Sequence, residues 1–128
     1  MKYDINTSQD VKKLVDSFYD KVKTDDLIGH IFTKVASVNW EVHLPRMYTF
    51  WEAMVLGTIA YTGNAMDQHY ILSKKTPLEK EHFDRWMHLW IDNANNLFFG
   101  PNTDKAIEKA QQVADLMVFK IAQINSKP

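Results

Sequence analysis

No cysteine occurs among the 128 residues. Disulfides, iron–sulfur clusters, cysteine-built zinc sites and every thiolate-ligated cofactor are thereby excluded. A reducing, cytoplasmic setting is the expectation, and residues 1–6 show no apolar region of a secretory signal. Long hydrophobic runs are missing too. The longest, residues 53–61, is interrupted by Gly57 and Thr58 and is too short to cross a bilayer, so no membrane partner is expected. Charge of one sign is also lacking: 15 basic and 16 acidic residues, interspersed, leave a net charge of −1. Only Lys74-Lys75 pairs two lysines outside the mixed faces of helices, which gives no basic stripe for DNA or RNA. Serine is sparse, and Ser8, Ser17, Ser37, Ser73 and Ser126 stand in no nucleophile-elbow pattern. There is no Gly-rich phosphate loop, internal repeat, linker or low-complexity stretch.

What is abundant is aromatic side chain. Four Trp, five Tyr and seven Phe, concentrated in residues 18–99, accompany six Met. A chain of this length makes one domain and buries roughly two-thirds of its unfolded surface without staples. Its core is either simply bulky or arranged around something flat.

The apolar spacing is helical throughout. Thr7 or Ser8 caps a first helix whose buried face is Val11, Leu14, Val15, Phe18 and Val22, with Tyr19 on its border. Asp25 or Asp26 opens a short segment carrying Leu27, Ile28, Ile31, Phe32 and Val35, tightened at Gly29. A further helix begins near Asn39, with Trp40, His43, Leu44, Met47, Phe50, Trp51 and Met54 inward, and Pro45 either starts its regular part or kinks it. Residues 57–65 read as a loop, followed by the apolar piece His69-Tyr70-Ile71-Leu72. Thr76-Pro77-Leu78-Glu79 has the form of a helix start with a capping box. Phe83, Trp86, Leu89, Trp90, Ala94 and Leu97 form the stripe behind it, and Gly100-Pro101 ends it. Asn102 or Thr103 then caps the last helix, lined by Ala106, Ile107, Ala110, Val113, Ala114, Met117, Ile121 and Ile124. No segment alternates as a strand does, so the expected class is all-α.

Five histidines are the remaining source of site chemistry. Glu79-x-x-His82 is half of a di-iron signature whose second half is absent. His30 and His88 lie off the apolar stripes, whereas His43 and His69 lie beside large apolar residues at helical spacing. Tyr19 and Trp86 are polar-tipped aromatics on core faces, and a buried tip needs a partner. Spacing alone leaves two readings open, a satisfied aromatic core and a shared functional pocket.

The chain resembles the truncated haemoglobins of the third group, a shortened bacterial branch of the globins. Phe18-Tyr19 followed by Ile28-Gly29-x-Ile31-Phe32 is similar to their first helices. Trp40-x-x-His43-Leu44-Pro45-x-Met47-x-x-Phe50-Trp51-Glu52 resembles their distal helix. Tyr61-x-Gly63-Asn64 leading to His69-x-x-Leu72 resembles the segment with the proximal histidine, and Pro77-Leu78 with His82-Phe83-x-Arg85-Trp86 the next helix start. The likeness covers residues 8–100, and the lack of the Gly-Gly pairs of other truncated groups favours the third. Ala65 departs from it, standing where the family often has proline.

The resemblance implies a two-over-two helical sandwich, residues 1–128 forming one globin-like domain around a haem b. It implies His69 as the ligand to the iron, through a neutral imidazole whose other nitrogen is oriented by a main-chain carbonyl. Tyr19 and Trp86 become distal hydrogen-bond donors, with His43 and Met47 over the distal face. Phe32, Phe50, Ile71, Leu72 and Phe83 line the apolar slot, and Arg46 is a candidate propionate partner. The expected ligand is dioxygen or another diatomic molecule, held for redox chemistry rather than storage and served by an unnamed reductant, in a monomer. Two alternatives stand beside it: an enzyme reducing peroxide or oxidising nitric oxide at the same haem, and a haem-free helical interaction module.

Overall fold

A computed structural model describes residues 2–31, 39–57 and 79–125. Among these residues all regular structure is helical: α1 (Ser8–Lys23), α2 (Trp40–Leu56), α3 (Lys80–Leu97) and α4 (Pro101–Asn125). Helix α1 packs on α2 and α3, and α4 packs on the same two helices from the other side, so one pair lies over another. Phe18, Trp51 and Trp90, all buried, meet at the middle of this arrangement.

Local chemistry accounts for most helix ends. The Thr7 hydroxyl accepts from the Asp10 N–H at 3.2 Å, and the Asp10 carboxylate accepts from the Thr7 N–H at 3.1 Å, a closed capping box for α1. Asp25, not Asp26, opens the turn after α1, its carboxylate accepting the N–H groups of Leu27 and Ile28 at 3.1 Å each. Gly29 is required there, because a Cβ would lie 2.9 Å from the carbonyl oxygens of Val22 and Lys23. Asn39 caps α2, which runs without a break through Pro45, so the helix starts before the proline rather than at it. The carbonyl that loses its N–H partner to the proline is that of Glu41, a solvent-exposed residue. Gly57, at φ 78°, ends α2 in the left-handed conformation.

Two helix starts differ from the sequence expectation. Helix α3 begins at Lys80 with Glu79 at its cap, while Thr76, Pro77 and Leu78 lie outside the described residues. The Glu79 N–H donates to His82 Nδ1 at 2.9 Å, so Glu79-x-x-His82 closes a helix end instead of holding metal. Helix α4 is not capped by Asn102 or Thr103. Pro101 is its first residue, and the free N–H groups of Asn102 and Thr103 both donate to Asp4, at 2.9 Å each. The N-terminal strand of chain is strapped there: Asn102 Nδ2 donates to the Ile5 carbonyl at 2.7 Å, Phe99 N–H to that of Tyr3 at 3.0 Å, and Ile5 is wholly buried. The helix supplies a positive end, and a carboxylate from the other end of the sequence sits directly on it.

Candidate functional site

The site is built from the C-terminal half of α1 and the first turns of α2. Tyr19 follows Val15 by four and precedes Val22 by three, so it is carried inward with them and is buried. Trp40 and His43, three apart at the start of α2, share one face and meet it. The Tyr19 ring lies 5.1 Å from His43 and 5.4 Å from Trp40, and Trp40 lies 5.7 Å from His43, all steeply inclined. The His43 Nε2 atom is buried. Burial pushes the Tyr19 phenol well above its ordinary pKa. Its oxygen therefore keeps its proton at any physiological pH and acts as a neutral O–H donor.

Trp86 reaches this cluster through Phe18. Phe18 packs edge-on against Tyr19 at 5.0 Å and against Trp86 at 5.5 Å. Trp86 is half-buried and lies parallel to Trp90 at 5.9 Å, which in turn stacks on Trp51 at 4.2 Å. The Trp90 indole N–H donates to the Ala106 carbonyl at 3.1 Å and ties α3 to α4.

Polar clasps hold these faces in register. Arg85, next to Trp86, pairs with Asp25 at 2.6 Å and also donates through Nε at 2.8 Å, joining α3 to the turn beyond α1. Burial by itself would raise the Asp25 pKa, but Arg85 and the N–H groups of Ile28 and Leu27 outweigh it and hold the carboxyl below its usual range. Tyr48 donates to Asp16, and Ser8 to Glu52 at 2.7 Å, locking α2 along α1. Burial, reinforced by Asp16, pushes the Tyr48 phenol up to about 12.

The residues singled out by sequence fall into three groups. Tyr19 and His43 are brought into direct contact, with Trp86 joined to them by one ring. Met47 and Phe50 lie further along α2 with Leu44 and Met54, packed against the core yet only half-buried. Arg46 is exposed on α2. Phe83 is buried where α3 faces α4, on the wall of an open groove of about 440 Å³ that none of Tyr19, His43 and Trp86 lines. Phe32, His69, Ile71 and Leu72 lie outside the described residues. Among those described, no three His, Asp or Glu side chains converge as a metal site, and no helix is long and apolar enough to cross a membrane.

No family model matches the chain. A group 3 truncated haemoglobin from Campylobacter jejuni is 27% identical over 117 residues, spanning 89% of this chain and 90% of that protein. The crystal structure of the group III truncated haemoglobin from that organism superposes with a TM-score of 0.80 at 25% identity, over 94% of this chain and 95% of the other. The chain is a homologue of the group 3 truncated haemoglobins. Its fold is the truncated-globin fold. Within this globin architecture two further residues belong to the cluster that sequence reasoning had not placed in the site. Trp40 was legible as an inward residue one turn before His43. Lys23, whose ammonium lies 4.3 Å above the Trp40 ring, carried no signal, because it follows the buried face of α1 by a single residue.

Proposed function

We propose that this truncated-globin homologue binds one haem b, with His69 as the protein ligand to iron, and holds dioxygen or another diatomic molecule on the side of Tyr19, His43 and Trp86. The cluster of Tyr19 and His43 beside an incompletely covered apolar face supports the reading most directly. Leu44, Met47, Phe50 and Met54 form that face and remain half-buried although each packs on the core. A flat apolar macrocycle fits such a surface, and large aromatic walls are what it needs. Haem, when bound, supplies an iron that accepts small diatomic ligands and exchanges electrons.

The chain's own residues do the rest. Tyr19 would offer a protonated O–H, and Trp86 an indole N–H, as donors to a small polar ligand. Phe18 and Trp90 fix the Trp86 ring, and the Asp25–Arg85 pair fixes the start of α3 against α1. Met47 and Phe50 exclude water and lower the local dielectric, which strengthens each donor's hold. Arg46, exposed on α2, is available to a propionate. Two such donors hold a polar ligand tightly, which suits redox chemistry at the site better than storage and delivery. A separate reductant then has to supply the electrons.

The absorption spectrum of the protein as expressed tests this. One haem per chain is expected, lost or greatly weakened in His69→Ala and retained in His43→Ala. A colourless chain that takes up no added haem refutes the proposal. If His43→Ala empties the pocket while His69→Ala leaves the spectrum intact, the two sides are reversed. Rapid mixing of the reduced and oxidised protein with nitric oxide and peroxide then separates binding from turnover.

A further inference from the structure

Trp86 and Trp90 stand one turn apart on α3, and their rings are held differently. The Trp90 indole N–H donates to the Ala106 carbonyl at 3.1 Å, so a hydrogen bond fixes that ring. Among the described residues no group accepts from the Trp86 N–H. Its half-buried ring meets Phe18 edge-on at 5.5 Å and lies parallel to Trp90 at 5.9 Å. Trp90 rides on the same helix, so of these two it is Phe18 that relates the ring to α1. A ring without a polar anchor follows the rotation of the helix that carries it. Two polar ties set that rotation against α1. Asn93, almost completely buried, donates through Nδ2 to the Leu14 carbonyl at 3.0 Å. Eight residues earlier, about 12 Å back along the helix, Arg85 grips Asp25. Its Nη2 at 2.6 Å and its Nε at 2.8 Å both meet Oδ1, while Oδ2 accepts the Leu27 and Ile28 N–H groups at 3.1 Å each. Four donors thus converge on a carboxylate whose side chain is only 3% exposed. A planar fork set on one oxygen fixes an angle that a lysine, with its single rotating ammonium, would leave free.

We propose that Arg85 is a positioning residue: its fork on Asp25 sets the angle of Trp86 and, through it, how firmly Trp86 holds a bound diatomic ligand. The inference rests on the reading of Trp86 as a donor to that ligand. Arg85 directly precedes Trp86, so the clasp acts on the turn that carries the ring. Hydrogen bonds weaken steeply as the donor angle departs from linear, so a small rotation of the ring is felt by whatever it donates to. Losing the fork leaves the Asn93 tie in place. Helix α3 then stays docked on α1 while its first turns regain freedom to rotate.

Two measurements test this on the full chain. In the haem-loaded protein, dioxygen release should quicken about three- to tenfold in Arg85→Met, a part of the effect of Trp86→Phe, and carbon monoxide release far less. Arg85→Lys keeps the charge without the fork and should fall between Arg85→Met and the parent. In the Trp86→Phe background Arg85→Met should add less than about twofold, because Arg85 acts through the ring. Asp4→Ala, which weakens the fold at the start of α4, should leave release unchanged, so lost stability alone does not produce the effect. In the ligand-free chain, the indole N–H signal of Trp86 in the nitrogen-15 spectrum, assigned by its loss in Trp86→Phe, should shift in both Arg85 variants. The signal of Trp90, held by Ala106, should stay. An unmoved Trp86 signal in both variants overturns the proposal whether or not haem is taken up. Release within twofold of the parent in Arg85→Met, with Trp86→Phe fast, overturns it too. If Trp86→Phe itself leaves release unchanged, the donor reading fails and the effect on the ligand falls with it. A chain that takes up no haem but shows the shifted signal upholds Arg85 as the residue that sets the ring and refutes the haem reading.

Discussion

Removing the Asp4 carboxylate should loosen the C-terminal helix although the two are nearly a hundred residues apart in sequence. Asp4 accepts from the Asn102 N–H and the Thr103 N–H at 2.9 Å and from the Thr103 hydroxyl at 2.8 Å. Each bond to a charged acceptor contributes about 1.5–3 kcal/mol taken alone. The three share one carboxylate at a half-buried position, so the whole is bounded by measured helix caps, about 2 kcal/mol at the upper end. Thr103 is almost completely buried, and its hydroxyl would be left with no acceptor, which places Asp4→Ala at the top of that range. At this chain length about 2 kcal/mol lowers Tm by roughly 6–10 °C. Asp4→Asn keeps an acceptor and loses the charge, so about half the effect is expected.

The pH dependence gives the sign. Burial would raise the Asp4 pKa, but the Asn102 and Thr103 hydrogen bonds lower it in the folded state. The stabilisation is therefore complete above the unfolded value of about 4 and is lost as pH falls through the folded value beneath it. Urea unfolding followed by circular dichroism at pH 7 and at several values between 5 and 2.5 reads both effects. The parent should lose stability on acidification more steeply than Asp4→Ala, and the two should converge at the acid end. Gly100→Ala supplies a cross-check. At φ 148° a side chain is strained, and its Cβ would lie 2.5 Å from the Asp4 Cγ, so its cost should fall in the Asp4→Ala background. Equal urea midpoints for Asp4→Ala and parent at pH 7, or parallel acid profiles, would refute the capping role.

Three other outcomes are expected. Trp90→Ala removes a fully buried indole packed against Phe18, Trp51 and Trp86 and should cost about 3–5 kcal/mol in urea unfolding. Arg85→Met leaves the Asp25 carboxyl to its burial and two N–H groups, so its pKa should rise in carbon-13 titration and the stability it contributes above pH 4 should shrink. On the proposed reading of Tyr19 and Trp86 as ligand donors, Tyr19→Phe and Trp86→Phe each remove a hydrogen bond of about 1.5–3 kcal/mol, so dioxygen release should quicken roughly ten- to a hundredfold and carbon monoxide release far less. Equal small changes for both gases would leave Tyr19 and Trp86 as core aromatics only.

How much of this was legible in the amino-acid order follows from distance along the chain. The faces of α1, α2 and α3, the Thr7–Asp10 box, the Asn39 cap and the Gly57 stop are written within a turn or two, because helical periodicity and capping act over three or four residues. The same short range made Tyr19 and His43 visible as polar tips on apolar faces, and the resemblance added their pairing with Trp86. Tertiary structure alone decided which residue caps α4, since Asp4 meets Asn102 and Thr103 only once the fold returns the N-terminal strap to that helix end. It decided the Asp25–Arg85 clasp for the same reason. It also turned Glu79 and His82 from half a metal signature into a helix cap, because an i, i+3 pair serves either purpose and only the helix start between them chooses. Trp40 and Lys23 belong to different helices, and no periodicity within either could announce that one ring would lie under the other's charge. Sequence patterns encode which side of a helix is buried, whereas the crossing of two helices selects the neighbours it meets there.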